Sequence, residues 1–312
     1  MKAPRRSAHA CLERLLGEPL LAWRRLAPDY AGHTNHVWSV ETPTRRLVVR
    51  LPRRRAERVA GSTAFWAGVR RLFGLRPDDV AAIAEGYLWL SGVEGLPVPR
   101  PLSLGLHPRP HLVVEWLAGR MPRSLDGLGD QLGSLVALLH SRRSRGWGRP
   151  GAAERPPARF HPALQAAMAE QARGLAEAKP ALKVELARAE AALRALPAPG
   201  WMAPVLLDWD HSQLLVDRGR VSGIVDLDAL AVAPRELDLA AWELLLPPAE
   251  AAAFQEAYRR RLPWPALAPV RQPYRLWLWL IEFQGRVPLD DWLARPGFAD
   301  PAGAAISPRR GS

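Results

Sequence analysis

The sequence predicts an α+β chain in which a β-rich front part precedes a larger, mainly helical part. Three observations carry this. Short apolar runs with strand spacing occupy residues 36–51 and 102–116, and longer runs with apolar residues at helical spacing fill much of 127–196 and 235–285. Between those helical regions, Val205–Asp228 reads as short strands that end in carboxylates, Asp208 and Asp210 after the first and Asp226 and Asp228 after the last. Acids at neighbouring strand ends can converge on one point.

Taken in order, residues 1–28 suggest a short helix around Cys11–Trp23 and a lead-in strand. His36–Glu41 alternates, Thr42–Arg46 turns and Leu47–Leu51 is a buried strand, so this segment forms a hairpin, with Gly32 ahead of it where backbone can approach a phosphate. Arg53–Arg58 is an arginine-rich loop. Helices follow over Thr63–Phe73 and Asp78–Leu90, the second opened by Pro77-Asp78-Asp79 and carrying Glu85. The proline-spaced link Gly95–Leu102 leads to strands near Leu102–Gly105 and at His111–Trp116, and Leu117-Ala118-Gly119 then divides the chain into domains 1–117 and 118–312.

Beyond it, Gly127–His140 has a helical apolar face, with His140 a cap or core residue. Residues 142–160 read as loop, Pro162–Leu196 as helix interrupted by Pro180, and Ala229–Pro234 as loop. Helices follow at Arg235–Leu246, Ala249–Arg261 and Pro273–Gly285, where Trp277 and Trp279 read as core, before a frayed tail from Pro296.

Net charge is +12, and arginine dominates it, with lysine only at Lys2, Lys179 and Lys183. The charge is uneven: Arg45–Arg76 holds ten arginines against the one acid Glu57, while Val205–Glu250 is acidic. A basic front part suits polyphosphates. Nucleic acid is ranked last as a partner, because no aromatic-basic stripe or reader motif accompanies the arginines. The lone Cys11 excludes a disulfide framework and a thiolate metal site. No apolar run approaches the roughly 18 residues of a membrane span, and the start is too polar for a secretory signal, so a cytoplasmic protein without a membrane partner is expected.

Asp208 and Gln213, five residues apart, can face one cleft, and Asp226 on the next loop adds a hard oxygen. Phosphoryl transfer needs this set: a carboxylate at the attacking hydroxyl, oxygens for a divalent cation, and cations for the phosphates.

In these segments the chain resembles the aminoglycoside phosphotransferase and choline kinase group, small-molecule kinases with a protein-kinase-like fold. Their catalytic loop, H-G-D-x-x-x-x-N before an apolar strand, is similar to L-L-D-W-D-H-S-Q-L-L-V here, and their metal loop to I-V-D-L-D, followed by P-R-E-L-D-L-A with Asp238. G-H-T-N-H-V-W-S-V-E is similar to the nucleotide loop, L-V-V-R-L-P to the strand bearing the phosphate-binding cation, and H-L-V-V-E-W-L-A-G to the hinge.

The resemblance covers about residues 28–260 and implies an ATP- and Mg2+-dependent phosphotransferase acting on the hydroxyl of a small molecule. By it, Asp208 would orient the acceptor hydroxyl, and Gln213 and Asp226 would hold Mg2+. Asn35 in the nucleotide loop would contact the nucleotide. Arg50, in place of the usual lysine, would meet the α- and β-phosphates while paired with Glu85, and backbone at Glu115–Leu117 would hold the adenine. Leu206-Leu207 stands where the family has His-Gly, Gln213 where it has asparagine, and Asp210 where some relatives have histidine. A kinase-like protein that binds nucleotide or a partner without turnover is the second reading. The acids Glu236, Glu243, Glu282, Asp290 and Asp291 lean towards a cationic acceptor.

Overall fold

The computed structural model describes residues 3–26, 34–53 and 63–299; Gly32, Arg54–Arg58 and the tail from Asp300 lie outside these residues. Helix α1 (Ala3–Leu16) precedes strand β1 (Ala22–Leu26), so the predicted helix around Cys11–Trp23 ends earlier than its apolar stretch. Gly17, at φ 66°, donates to the Glu13 carbonyl and closes the helix.

Strands β2 (Asn35–Glu41) and β3 (Arg46–Pro52) form the expected hairpin, with Val40 opposite Leu47 and Val37 opposite Arg50. Helices α2 (Thr63–Phe73) and α3 (Val80–Ser91) precede β4 (Pro101–Gly105) and β5 (His111–Glu115). The five strands make one antiparallel sheet in the order β1-β2-β3-β5-β4. Strand alternation divides β3 between two faces. Leu47, Val49 and Leu51 join Leu12, Val40 and Val113 in a core under α1. Arg50 therefore points to the opposite face.

Helix α3 starts where Asp79 accepts from the Ala82 N–H at 3.1 Å, an N-cap that fits the start signal in the sequence. Its inward face is Ile83, Tyr87 and Leu90.

The remainder is mostly helical: α4 (Gly129–Ser141), α5 (Phe160–Gln171), the short α6 (Leu175–Ala178) and α7 (Pro180–Ala195). After them come β6 (Met202–Leu206), β7 (Leu214–Asp217), β8 (Arg220–Ile224) and β9 (Leu230–Pro234). The chain closes with α8 (Arg235–Leu245), α9 (Pro248–Arg259), α10 (Ala268–Leu280) and α11 (Leu289–Leu293). Among the described residues no helix is long and apolar enough to cross a membrane.

Two expectations are corrected. Ala229–Pro234, expected as loop, contains β9, whose five residues are all buried and pair antiparallel with β6. An apolar run buried on both faces has no alternation to reveal it. Helix α10 begins at Ala268, not Pro273, and carries Pro273 inside it. The missing N–H costs one backbone bond, but Val270, Tyr274 and Trp277 bury the same helix face and carry it through. As expected, Trp277 is core: it packs edge-on to Phe73 at 5.9 Å, and Phe73 in turn meets Trp147.

Candidate active site

Backbone pairing brings the acids together. β6 and β9 run antiparallel with Leu206 opposite Leu230, so Asp208, just after β6, lies beside Asp226 and Asp228, just before β9. The β7–β8 hairpin fixes the other end of both loops, since the Val225 N–H donates to the Gln213 carbonyl at 2.8 Å. The resulting cleft, about 590 Å³, is lined by Asp208, Asp210, Gln213, Asp226 and Asp228, by Thr34 and Asn35 from the sheet side, and by Phe65, Trp66 and Glu282–Gly285. Asp226 has φ 60° and ψ 62°, a left-handed conformation that L residues adopt at a cost.

Two side-chain oxygens here are cut off from solvent and have no hydrogen-bond partner: Asp208 Oδ1 and Gln213 Oε1. Buried acceptors are ordinarily paired, so a ligand-facing role explains both. Burial first, then the charges of Asp226 and Asp228, hold the Asp208 carboxyl well above the usual carboxylate range.

Arg50 is almost fully buried, and its Nη2 donates to Asp226 Oδ1 and to Asp228 Oδ1, each at 2.6 Å, while Nη1 donates to Tyr87 Oη at 3.2 Å. Burial alone would lower its pKa, but the two carboxylates hold the guanidinium well above its ordinary value. Asp228 also accepts a short bond from the Asn35 carboxamide. Burial pushes Asp228 up to about 7 against the pull of Arg50.

The expected Arg50–Glu85 pair is not formed, and Glu85 is exposed on α3. The reason is helical phase. Two residues along a helix turn a side chain by about 200°, so the face that turns Tyr87 inward turns Glu85 out.

Leu206-Leu207 offer the loop before Asp208 no polar side chain, and another brace supports it. Asp238 on α8 accepts from the Leu206 N–H at 3.2 Å and from Trp209 Nε1 at 2.9 Å through Oδ1, while Oδ2 faces His140 Nε2 at 3.2 Å. His140 is therefore a core residue, its pKa lowered by burial. Asp210 is a turn former: its Oδ1 accepts from the Ser212 N–H at 2.8 Å and lies 3.0 Å from His211 Nδ1.

Of the residues singled out in the sequence, Asp208, Gln213, Asp226, Asn35 and Arg50 converge on the cleft and its floor. Glu115 and Leu117 stand apart from the acidic cleft, at the end of β5. The Glu115 N–H donates to the Arg100 carbonyl, and its carboxylate meets the Arg100 guanidinium at 3.3 Å. Leu117 packs against the β7–β8 hairpin at Gly223.

Among the acids considered for a cationic acceptor, Glu282 lines the cleft. Glu243 is buried and paired with Arg271 and Arg275, which makes it a core ion-pair member. Asp228 and Tyr87 escaped the sequence assignment. The D-L-D spacing was the available signal for Asp228, whereas Tyr87 had none, because its partner depends on how α3 faces the sheet.

The fold has counterparts among solved structures. The macrolide 2'-phosphotransferase MphH from Brachybacterium faecium is 19% identical, with a TM-score of 0.57 over 86% of this chain and 88% of that chain. A thermostable mutant of the aminoglycoside phosphotransferase APH(4)-Ia, in ternary complex with ADP and hygromycin B, is 16% identical, with a TM-score of 0.57 over 89% and 90%. A macrolide 2'-phosphotransferase type I gives 15% and a TM-score of 0.58 over 94% and 95%. No curated protein sequence matches significantly. With the five-stranded sheet and the helical remainder, these neighbours define a protein-kinase-like α+β fold. The profile of the phosphotransferase enzyme family (APH) matches residues 25–277, and the chain belongs to that family.

Proposed function

We propose that this protein transfers the γ-phosphoryl group of ATP to a hydroxyl of a small molecule, with Mg2+ as cofactor. The observation that carries the reading is the pair of unpartnered buried oxygens, Asp208 Oδ1 and Gln213 Oε1, at a cleft whose wall also bears Asp226. In this reading residues 1–117 hold the nucleotide and residues 118–312 the acceptor.

The donor set fits magnesium, which favours hard oxygens and takes few protein ligands beside phosphate and water. Gln213 Oε1 and the Asp226 carboxylate would hold it, and when bound it supplies positive charge against the phosphate oxygens. Asp208 orients the acceptor hydroxyl and takes its proton. Arg50 supplies the cation of the nucleotide side, with Asn35 beside it, and backbone at Glu115–Leu117 takes the adenine. The neighbour captured with ADP and the neighbours named for macrolides and hygromycin B support nucleotide use and an alcohol acceptor of antibiotic-like size. From residues 118–312, Phe283 gives the acceptor end an aromatic face and Glu282 an acid.

Calorimetry with Mg-ATP, followed by assay of phosphoryl transfer to a library of hydroxyl compounds, tests the reading. Binding that needs magnesium, and transfer abolished by Asp208→Ala in a folded protein, is expected. Equal turnover by wild type and variant sinks it.

A further inference from the structure

We propose that Asp228 is a positioning residue, the fixed anchor of the Arg50 guanidinium, and that Asp226 is the guanidinium's exchangeable partner, given up when Asp226 takes a metal ion. This rests on the nucleotide reading above for the exchange, but not for the anchor.

The two carboxylates bind the same Nη2 at the same 2.6 Å, so distance does not rank them. Their surroundings do. The Asp228 side chain is 3% exposed, whereas that of Asp226 is 41% exposed. Both Asp228 oxygens are committed, Oδ1 to Arg50 and Oδ2 to Asn35. Asp226 reaches Arg50 through Oδ1 and faces the open cleft.

A side chain with its charge in water is cheap to re-pair, while a buried carboxylate stripped of a cation is not. The same holds for Arg50. Its side chain is 7% exposed, so a guanidinium released by Asp226 with no second carboxylate would be a buried, uncompensated charge. Asp228 prevents that state.

The helix acid cannot perform this task here, because Glu85 points to solvent. Tyr87 occupies the inward position instead, and its hydroxyl accepts both from Arg50 and from the Leu227 N–H at 3.3 Å. A neutral phenol orients the guanidinium but leaves its charge to an acid. Asp228 is thus tied at once to β2 through Asn35 and to β3 through Arg50, joining the sheet to the loop that carries Asp226.

Two measurements test this. The first is thermal melting without nucleotide for Arg50→Met, Asp228→Asn, Glu85→Gln and the paired variants. Arg50→Met and Asp228→Asn should each lower the melting temperature, and their double should fall well short of the summed loss, whereas Arg50→Met with Glu85→Gln should be additive. Additive losses for Arg50 and Asp228, or coupling between Arg50 and Glu85, overturn the anchor. Should Asp228→Asn alone fail to fold, recovery of the fold on adding Arg50→Met supports it, and failure of that double overturns it.

The second is calorimetry with Mg-AMP-PNP. Asp228→Asn should bind about tenfold or more weakly, and Glu85→Gln within about twofold of wild type. The reverse order overturns the proposal. Coupled melting in a wild type that takes up no Mg-AMP-PNP overturns the nucleotide reading and the exchange at Asp226 together, while the anchor stands.

Discussion

Trp209 donates its indole N–H to Asp238 at 2.9 Å, and so the residue that follows Asp208 is tied to the start of helix α8. The bond is buried, and the same Asp238 oxygen holds the backbone of Leu206 just before the loop.

Trp209→Phe keeps the ring and removes the donor. Stability should fall by about 1–3 kcal/mol by chemical denaturation, the usual cost of breaking one buried bond to a charged group. The larger effect should be on the phosphoryl-transfer rate, with little change in nucleotide affinity, because the bond fixes the Asp208 loop and touches neither Asn35 nor Arg50.

Asp208 stands in an environment that opposes its charge: it is partly buried beside Asp226 and Asp228, and one oxygen is unpartnered. Asp208→Asn removes that charge at constant shape. The melting temperature should rise, by about 1–2 kcal/mol in stability, while transfer falls by about 100-fold or more. A variant both inactive and less stable than wild type would contradict this account of the site.

His140 gives a pH signature. Burial holds its pKa below the ordinary 6.5, so the unfolded chain binds this proton more readily than the folded one. Its contribution to stability is present above pH 6.5 and is lost as pH falls below it. Asp228, raised to about 7, acts in the opposite sense between its ordinary value and neutrality, and so the net curve mixes both signs. The difference curve does not: the melting temperature of His140→Gln relative to wild type should improve as pH drops from 7 to 5. A flat difference would remove His140 from the acid response.

Gly133 on α4 packs directly against the α9 backbone at Phe254. A Cβ there would overlap the Phe254 backbone, including its carbonyl oxygen, which cannot rotate away. Gly133→Ala should destabilise the fold by about 2 kcal/mol despite the better helix propensity of alanine. Gly200→Ala, with open space around its Cβ position, should stay within about 0.5 kcal/mol of wild type.

Much of this fold could be read from the residues, because hairpin alternation over His36–Leu51 and the cap at Asp79 are local signals. Asp208, Gln213 and Asp226 were legible for the same reason, each standing at a fixed offset from an apolar run. What could not be read were partnerships decided by phase and by long-range packing. Glu85 and Tyr87 sit two residues apart, and only the direction of α3 relative to the sheet decides which of them meets Arg50. β9 was hidden because a fully buried strand of five apolar residues has no periodicity, and its partner β6 lies more than twenty residues earlier. Trp209 carried no mark of its role, since its acceptor Asp238 is 29 residues away.

The β6–β9 ribbon sets the spacing of the acids through main-chain bonds, from Leu206 opposite Leu230 to the Leu207 N–H on the Ala229 carbonyl. Every residue type but proline brings the same backbone N–H and C=O, so the metric of the site is written where most substitutions do not erase it. The flanking side chains are free to diverge, and Leu206-Leu207 in place of His-Gly is such a divergence: a change of sequence that leaves the interval between Asp208 and Asp226 under backbone control.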